Sequence, residues 1–291
     1  MKKIPQIVAA KQINLEDMIK KSIAIYTIVD DLLKEIEHNE PQSRQVYDSE
    51  IITTALISAL YFGGNQEKGI CFMKSTGLIP KMLSKSRFNR RLHLIRELIV
   101  DLFFQLSNMI KKLNISSEYI IDSFPIHTCD NMRISNSKLI QGEIYRGRKA
   151  TMRRYFYGFN VHVLVTTDGI PVEYTFLPGS KHDSEALKQM PLNLSAGSRV
   201  YADSGYTNYT IEDMLLDSEN IELLAARKSN SKRKRERYLE YMIETMRKRV
   251  ETTFSEISTL LPKKIHAVTS YGFILKVIMF LFSFTLNKIE Y

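Results

Sequence analysis

The sequence predicts an α/β protein, a mixed β-sheet flanked by helices and preceded by an all-α N-terminal region. Three observations carry this. Over residues 1–114 apolar side chains recur at spacings of three and four, with few strand signals. From about residue 117 the pattern changes to short alternating runs of β-branched and aromatic residues. Antiparallel strands lead there, and helical and strand patterns then alternate, as a three-layer sheet of mixed direction requires. The expected division is 1–114 and 115–291.

In the first part, "LEDMIKKSIAIYTIVDDLLKEIEH" (15–38) reads as an amphipathic helix. "DSEIITTALISALYFGG" (48–64) opens on a capping residue and closes on a glycine pair, so it is a second helix. "SRFNRRLHLIRELIVDLFFQLSNMIKKL" (86–113) is expected as one longer third helix. "STGLIPKMLSKSRFNRR" (75–91) fits either a helix-turn-helix turning at Gly77 to Pro80 or two core helices joined by a turn.

In the second part, "YIIDSFPI" (119–126) is a buried strand that ends at Pro125. "YFYGFNVHVLVTTDGIPVEYTFLPG" (155–179) is a hairpin turning at Asp168-Gly169. "HDSEALKQM" (182–190) is a helix with Asp183 or Ser184 as its N-cap. A strand at 198–206, a helix at 209–218 and a strand at 221–227 follow. A long helix from about Glu236 to Leu261 carries the stripe Leu239, Met242, Ile243, Met246, Val250, Phe254 and Ile257. "GFILKVIMFLFSFTL" (272–286) is too short for a membrane span and contains Lys276, so it is expected as a buried helix.

With 44% hydrophobic and 25% charged residues, the composition is that of a globular protein. Lys and Arg number 41 against 32 acids, a net charge of +9, which favours a polyanionic partner. Two cysteines without metal-ligand spacing exclude a disulfide framework and fit a reducing cytosol. Basic residues crowd two segments. Arg133, Lys138, Arg146, Arg148, Lys149, Arg153 and Arg154 lie between the first strand and the hairpin, interleaved with Tyr145, Tyr155 and Tyr157. "RKSNSKRKRER" (227–237), with Lys232, Arg233, Lys234 and Arg235, precedes the long helix. Such runs are usually solvated loops, but here they flank acids suited to phosphate chemistry.

Those acids pose the main question. A carboxylate in a buried strand costs several kcal/mol if it is charged, dry and unpaired, so Asp122 needs a partner. Asp203, in "VYADSGY", stands just past the apolar part of its strand. Glu251, in "RKRVETTFSEI", sits beside Val250 on the shoulder of the buried stripe. Each has an ordinary explanation alone: a turn cap for Asp203, a pair with Arg247 for Glu251, backbone N–H groups for Asp122. Sheet order would bring the three together, and a hard divalent cation would remove their repulsion.

"IIDSFPI", "YADSGY" and "RKRVETTFSEI", in this order, resemble the three acidic motifs of bacterial insertion-sequence transposases of the DDE type. "YFYGFNVHVLV", "PGSKHDSEAL", "YDSEIITTALI" and "SRFNRRLHLI" are similar to the same group, the one numbered nine hundred and eighty-two. The resemblance implies an RNase H-like catalytic domain at 115–291 with Asp122, Asp203 and Glu251 as the triad. It implies two Mg2+ (or Mn2+) ions and metal-dependent phosphoryl transfer on DNA, both cleavage and strand transfer. It further implies double-stranded DNA partners (terminal inverted repeats and target), a homodimer in the active complex, and bacterial cytoplasm near the nucleoid. The N-terminal helices would bind the element's ends or a second subunit. Related enzymes carry Tyr, Arg, Glu and Lys on the last helix; here Arg247 fits, but Glu244 and Ser258 replace the Tyr and the Lys, leaving Glu244 and Glu256 as rivals to Glu251. The family's counterparts of His182 and Asp183 lie near the site, so these two are auxiliary candidates. His162 is expected to be structural. A nuclease or resolvase that cleaves without joining, and an inactive transposase-derived DNA-binding protein, are the alternatives.

Overall fold

The computed structural model describes residues 14–129, 134–135, 137–149 and 154–289. Among the described residues the N-terminal region holds helices alone: α1 (Leu15–Glu35), α2 (Asp48–Phe62), α3 (Gln66–Ser75), α4 (Lys85–Leu94) and α5 (Arg96–Leu113). Asn14 caps α1 with its side chain, and Gly63 ends α2 in the left-handed conformation, φ 56°. The single helix expected over 86–113 is two, broken at Ile95 (φ −94°, ψ 19°). The apolar series Phe88, Leu92, Ile95, Ile99, Leu102 runs in phase through the break, so no local signal marks it. Tertiary packing imposes it: α4 turns towards α2 and α3, while α5 runs on to the sheet. Helices α3 and α4 are separated by residues 76–84, a longer connection than the three or four residues of a helix-turn-helix.

The sheet contains β1 (Glu118–His127), β2 (Arg146–Lys149), β3 (Arg154–Thr166), β4 (Pro171–Pro178), β5 (Arg199–Ala202) and β6 (Glu222–Ala225). Its order is β2-β3-β1-β5-β6, and β4 also pairs with β3. Strand β1 is central, antiparallel to β3 and parallel to β5. The β3–β4 hairpin turns where expected, with Gly169 at φ 78°. Strand β2 departs from the expectation of a basic loop: Arg146 to Lys149 pair with Tyr157 to Arg154 on the outer edge.

Helices α6 (Ala186–Gln189) and α7 (Tyr209–Glu219) cover one face of the sheet. Helices α8 (Arg237–Leu260) and α9 (Ser270–Lys288) cover the other. The segment expected as a helix from 182 is a 3-10 turn, Asp183–Glu185, leading into α6. His182, and not Asp183 or Ser184, caps it, because its ring nitrogen accepts from the Ser184 N–H.

Helix α9 is the apolar helix foreseen at 272–286. By length and composition it could cross a membrane, but Phe273 to Leu286 are largely buried in this protein. Ser283 Oγ donates to the Leu56 carbonyl of α2 and Thr285 Oγ1 to the Pro171 carbonyl of β4. The hydrophobic cluster around α9 therefore runs unbroken from α1 to the sheet. A buried ion pair, Lys111 of α5 with Glu173 of β4, ties the same two parts; Lys111 also donates to the Leu192 carbonyl.

Candidate functional site

Alternation along β1 puts Ile120, Asp122, Phe124 and Ile126 on the face that α8 crosses. Phe124 meets Phe254 of α8 with ring centroids 6.3 Å apart. On β5, Tyr201 faces the same way, and Asp203 follows it by two. The parallel ladder ends with Ile121 opposite Ala202, so the next step sets Asp122 abreast of Asp203. Two carboxylates thus stand side by side beneath one helix, Asp122 within β1 and Asp203 just past the end of β5.

Both are held by their own backbone: Asp122 Oδ1 accepts from the Ser123 N–H at 2.8 Å, and Asp203 Oδ1 from the Ser204 N–H. Arg247 of α8 reaches Asp203 at 3.4 Å, a loose pair, and its Nε is buried without a hydrogen-bond partner among the described residues. Burial pushes the Asp122 carboxyl up from its ordinary value, and the charges of Asp203 and Asp183 push it further against the pull of Ser123 and Arg247. Asp183 is raised in the same way, by burial first and then by Asp203. It approaches because residue 205 is glycine: a Cβ there would run into the Asp183 carboxylate. The arrangement is an acidic, half-buried pocket of oxygen donors whose charges compensate one another poorly. That is the donor set a hard divalent cation takes.

A family model described as "Transposase DDE domain" matches residues 112–266, more than half of the chain. The chain belongs to this family. A DDE domain implies divalent metal use, and a transposase implies DNA as the bound partner. The observed mixed sheet, flanked by helices and preceded by helices, agrees with the RNase H-like fold of such domains. No curated protein and no solved structure matches the chain.

Within this DDE domain the structure gathers Asp122, Asp203, Asp183 and Arg247. Glu251 lies one helical turn beyond Arg247 on the exposed flank of α8, where its charge acts on Lys248. It borders an open groove with Leu60, Ser255, Glu256, Phe284 and Lys288. The rival acids are engaged elsewhere, Glu244 with Lys248 and Glu256 with Lys288, each at 2.7 Å.

The basic candidates divide. Arg146 pairs with Glu143 at 2.9 Å, and the Arg148 guanidinium lies 5.9 Å from the centre of the Tyr155 ring. Arg153 and Arg133, and the side chains of Lys149 and Arg154, lie outside the described residues. Lys232 and Lys234 are exposed, whereas Arg233 forks onto Asp213 and Arg235 donates to the Leu223 carbonyl. Half of that cluster folds its own segment down. His162 is fully buried and its pKa is pushed down to about 4 by burial, in keeping with a structural role.

Sequence reasoning missed a second polar cluster. His38, Glu40 and Asp48 present ligand atoms within 4.8 Å of one another. Arg44 and Arg91 already bind both acids at 2.6 to 3.0 Å, so two guanidinium charges stand where a cation would have to enter. This is an ion network that locks α2 to α4. The spacing of Glu40, Arg44 and Asp48 at successive fours was its only sequence signal.

Proposed function

We propose that this protein is a DNA transposase of the insertion-sequence group numbered nine hundred and eighty-two, with Asp122, Asp203 and Glu251 as its metal-holding triad. The observation that carries the reading is the side-by-side placement of Asp122, within β1, and Asp203, just past the end of β5, with Arg247 in loose contact with Asp203. Their repulsion and burial make the pair costly in the free protein and receptive to a divalent cation. Glu251 fits as the third acid because it follows Arg247 by one turn and has no committed ion pair like those of Glu244 and Glu256.

Bound magnesium or manganese, two ions in this reading, supplies the Lewis acidity that activates a water or 3′-hydroxyl and neutralises the departing 3′ oxygen. The chain's own part is to hold and orient. Asp122 and Asp203 would present the fixed oxygen donors, Arg247 would keep Asp203 in register, and Glu251, on the exposed flank of α8, would complete the set. No serine or cysteine nucleophile is required, since positioning and charge neutralisation carry phosphoryl transfer. The basic segment ahead of the hairpin, with Arg146, Arg148, Lys149, Arg153 and Arg154, would track the DNA backbone together with Lys232 and Lys234. Residues 1–114 would engage the element's ends or a second subunit, in a homodimer working in the bacterial cytoplasm.

The test is incubation with DNA from the element's ends, pre-cut and intact, with Mg2+ or Mn2+ and with EDTA. Metal-dependent cleavage and joining are expected, falling at least about a hundredfold in Asp122→Asn, Asp203→Asn and Glu251→Gln. Glu244→Gln and Glu256→Gln should stay near wild type. Hydrolysis without joined product would favour a nuclease, and cleavage that survives Asp122→Asn would remove the site assignment.

A further inference from the structure

Asp203 lies one residue past the last rung of the β1–β5 ladder, so sheet hydrogen bonds do not hold it beside Asp122. Two like charges left there would drive the end of β5 away from β1. The 3-10 turn that begins at Asp203 ends at Tyr206, and the ring of Tyr206 passes to the opposite face of the sheet. There it is buried among Ile121, Val200 and Ala202. Its hydroxyl lies 2.7 Å from Nδ1 of His162 on β3. The Ser123 side chain lies close enough to lower the pKa of that hydroxyl. Ser123 and His162 are register partners across β1 and β3. Tyr206 thus runs from the segment that carries Asp203, beneath β1, to His162 on β3, the register partner of the residue next to Asp122.

Packing alone does not call for this arrangement. A phenylalanine would fill the same space, and burying a hydroxyl against an imidazole stabilises nothing unless the bond between them is made. Tyr206 is 1% exposed and His162 0%. The charges acting on the hydroxyl are those of Asp183, Asp122 and Asp203, so the tether lies where the three acids converge. We propose that Tyr206, anchored by His162, is a positioning residue that sets the spacing of Asp122 and Asp203 for divalent-cation binding. This rests on the reading of those two acids as metal-holding residues.

The experiment is Mn2+ binding to the full-length protein by calorimetry without DNA, alongside cleavage rates over a range of Mn2+ concentrations. Tyr206→Phe keeps the ring and removes the tether. Its melting temperature should fall by only a few degrees, the effect of one hydrogen bond. Mn2+ affinity should fall about tenfold, with a matching rise in the Mn2+ needed for half-maximal cleavage. The rate at saturating Mn2+ should fall far less. His162→Leu should reproduce the loss, and His162→Gln, which retains a polar partner for the hydroxyl, should recover most of it. Wild-type affinity in Tyr206→Phe, or a rate lost equally at every Mn2+ concentration, overturns the proposal. Wild-type protein that binds no Mn2+, or binding that survives Asp122→Asn, overturns the site assignment itself.

Discussion

Acid should destabilise this protein through His162. The imidazole is fully buried on β3, and burial lowers its pKa from 6.5 to about 4. The unfolded chain takes up a proton as pH falls through 6.5, while the folded chain resists until about 4. The unfolded state therefore binds more protons in that window, and stability declines as pH falls through it. The two pKa values give a loss of about 2 kcal/mol by pH 5, rising to about 3 kcal/mol near pH 4. In a protein of this size 2 kcal/mol corresponds to a drop of about 3 °C in melting temperature. Carboxylates titrate over part of the same range, so the informative quantity is a difference. Melting temperatures of wild type and His162→Gln would be measured at pH 7.5 and 5.0, without metal. Glutamine carries no charge at either pH, so the variant should lose about 3 °C less than wild type on acidification. An equal loss in both proteins would refute the claim that His162 is held neutral by the fold.

The other stability predictions concern one contact that joins the two parts of the chain and one within the sheet. Lys111→Met strands the Glu173 carboxylate in the core and should cost about 3 to 5 kcal/mol by urea denaturation. Adding Glu173→Leu should restore much of that, because an apolar pair replaces an ion pair whose members burial already disfavours; Lys111 is pulled down and Glu173 pushed up. Gly158→Ala should destabilise by about 3 kcal/mol in the same assay, since a Cβ there overlaps the Ile126 carbonyl oxygen and β1 cannot recede without breaking its ladder.

The elements that could be read in advance were those with a complete local signal. Helix α2 had a glycine stop, although Tyr47 and not Asp48 is its N-cap; the β3–β4 hairpin had Asp168-Gly169, and α9 was an apolar run interrupted by a lysine. Strand β2 was missed because its basic residues and Gly147 have no apolar face; it forms because β3 offers it an unpaired edge. The His182 cap was missed because Asp183 is the better capping residue by type. Asp183 is instead drawn under the Asp203 turn, through the gap left by Gly205.

The sequence by itself determined that Asp122 needed a partner, because a carboxylate among strand-forming residues is costly wherever the chain folds. Its motif order pointed to the transposase family. Sequence also determined the faces, since a strand's period of two sends Ile120, Asp122 and Phe124 the same way in any sheet. Tertiary structure alone decided which charges meet. Register between strands about eighty residues apart set Asp122 abreast of Asp203, the path of α8 chose Arg247 to touch them, and Tyr206 reached His162 beneath β1. Such pairings are invisible along the chain because they depend on where the backbone ladder stops and on which neighbours leave room.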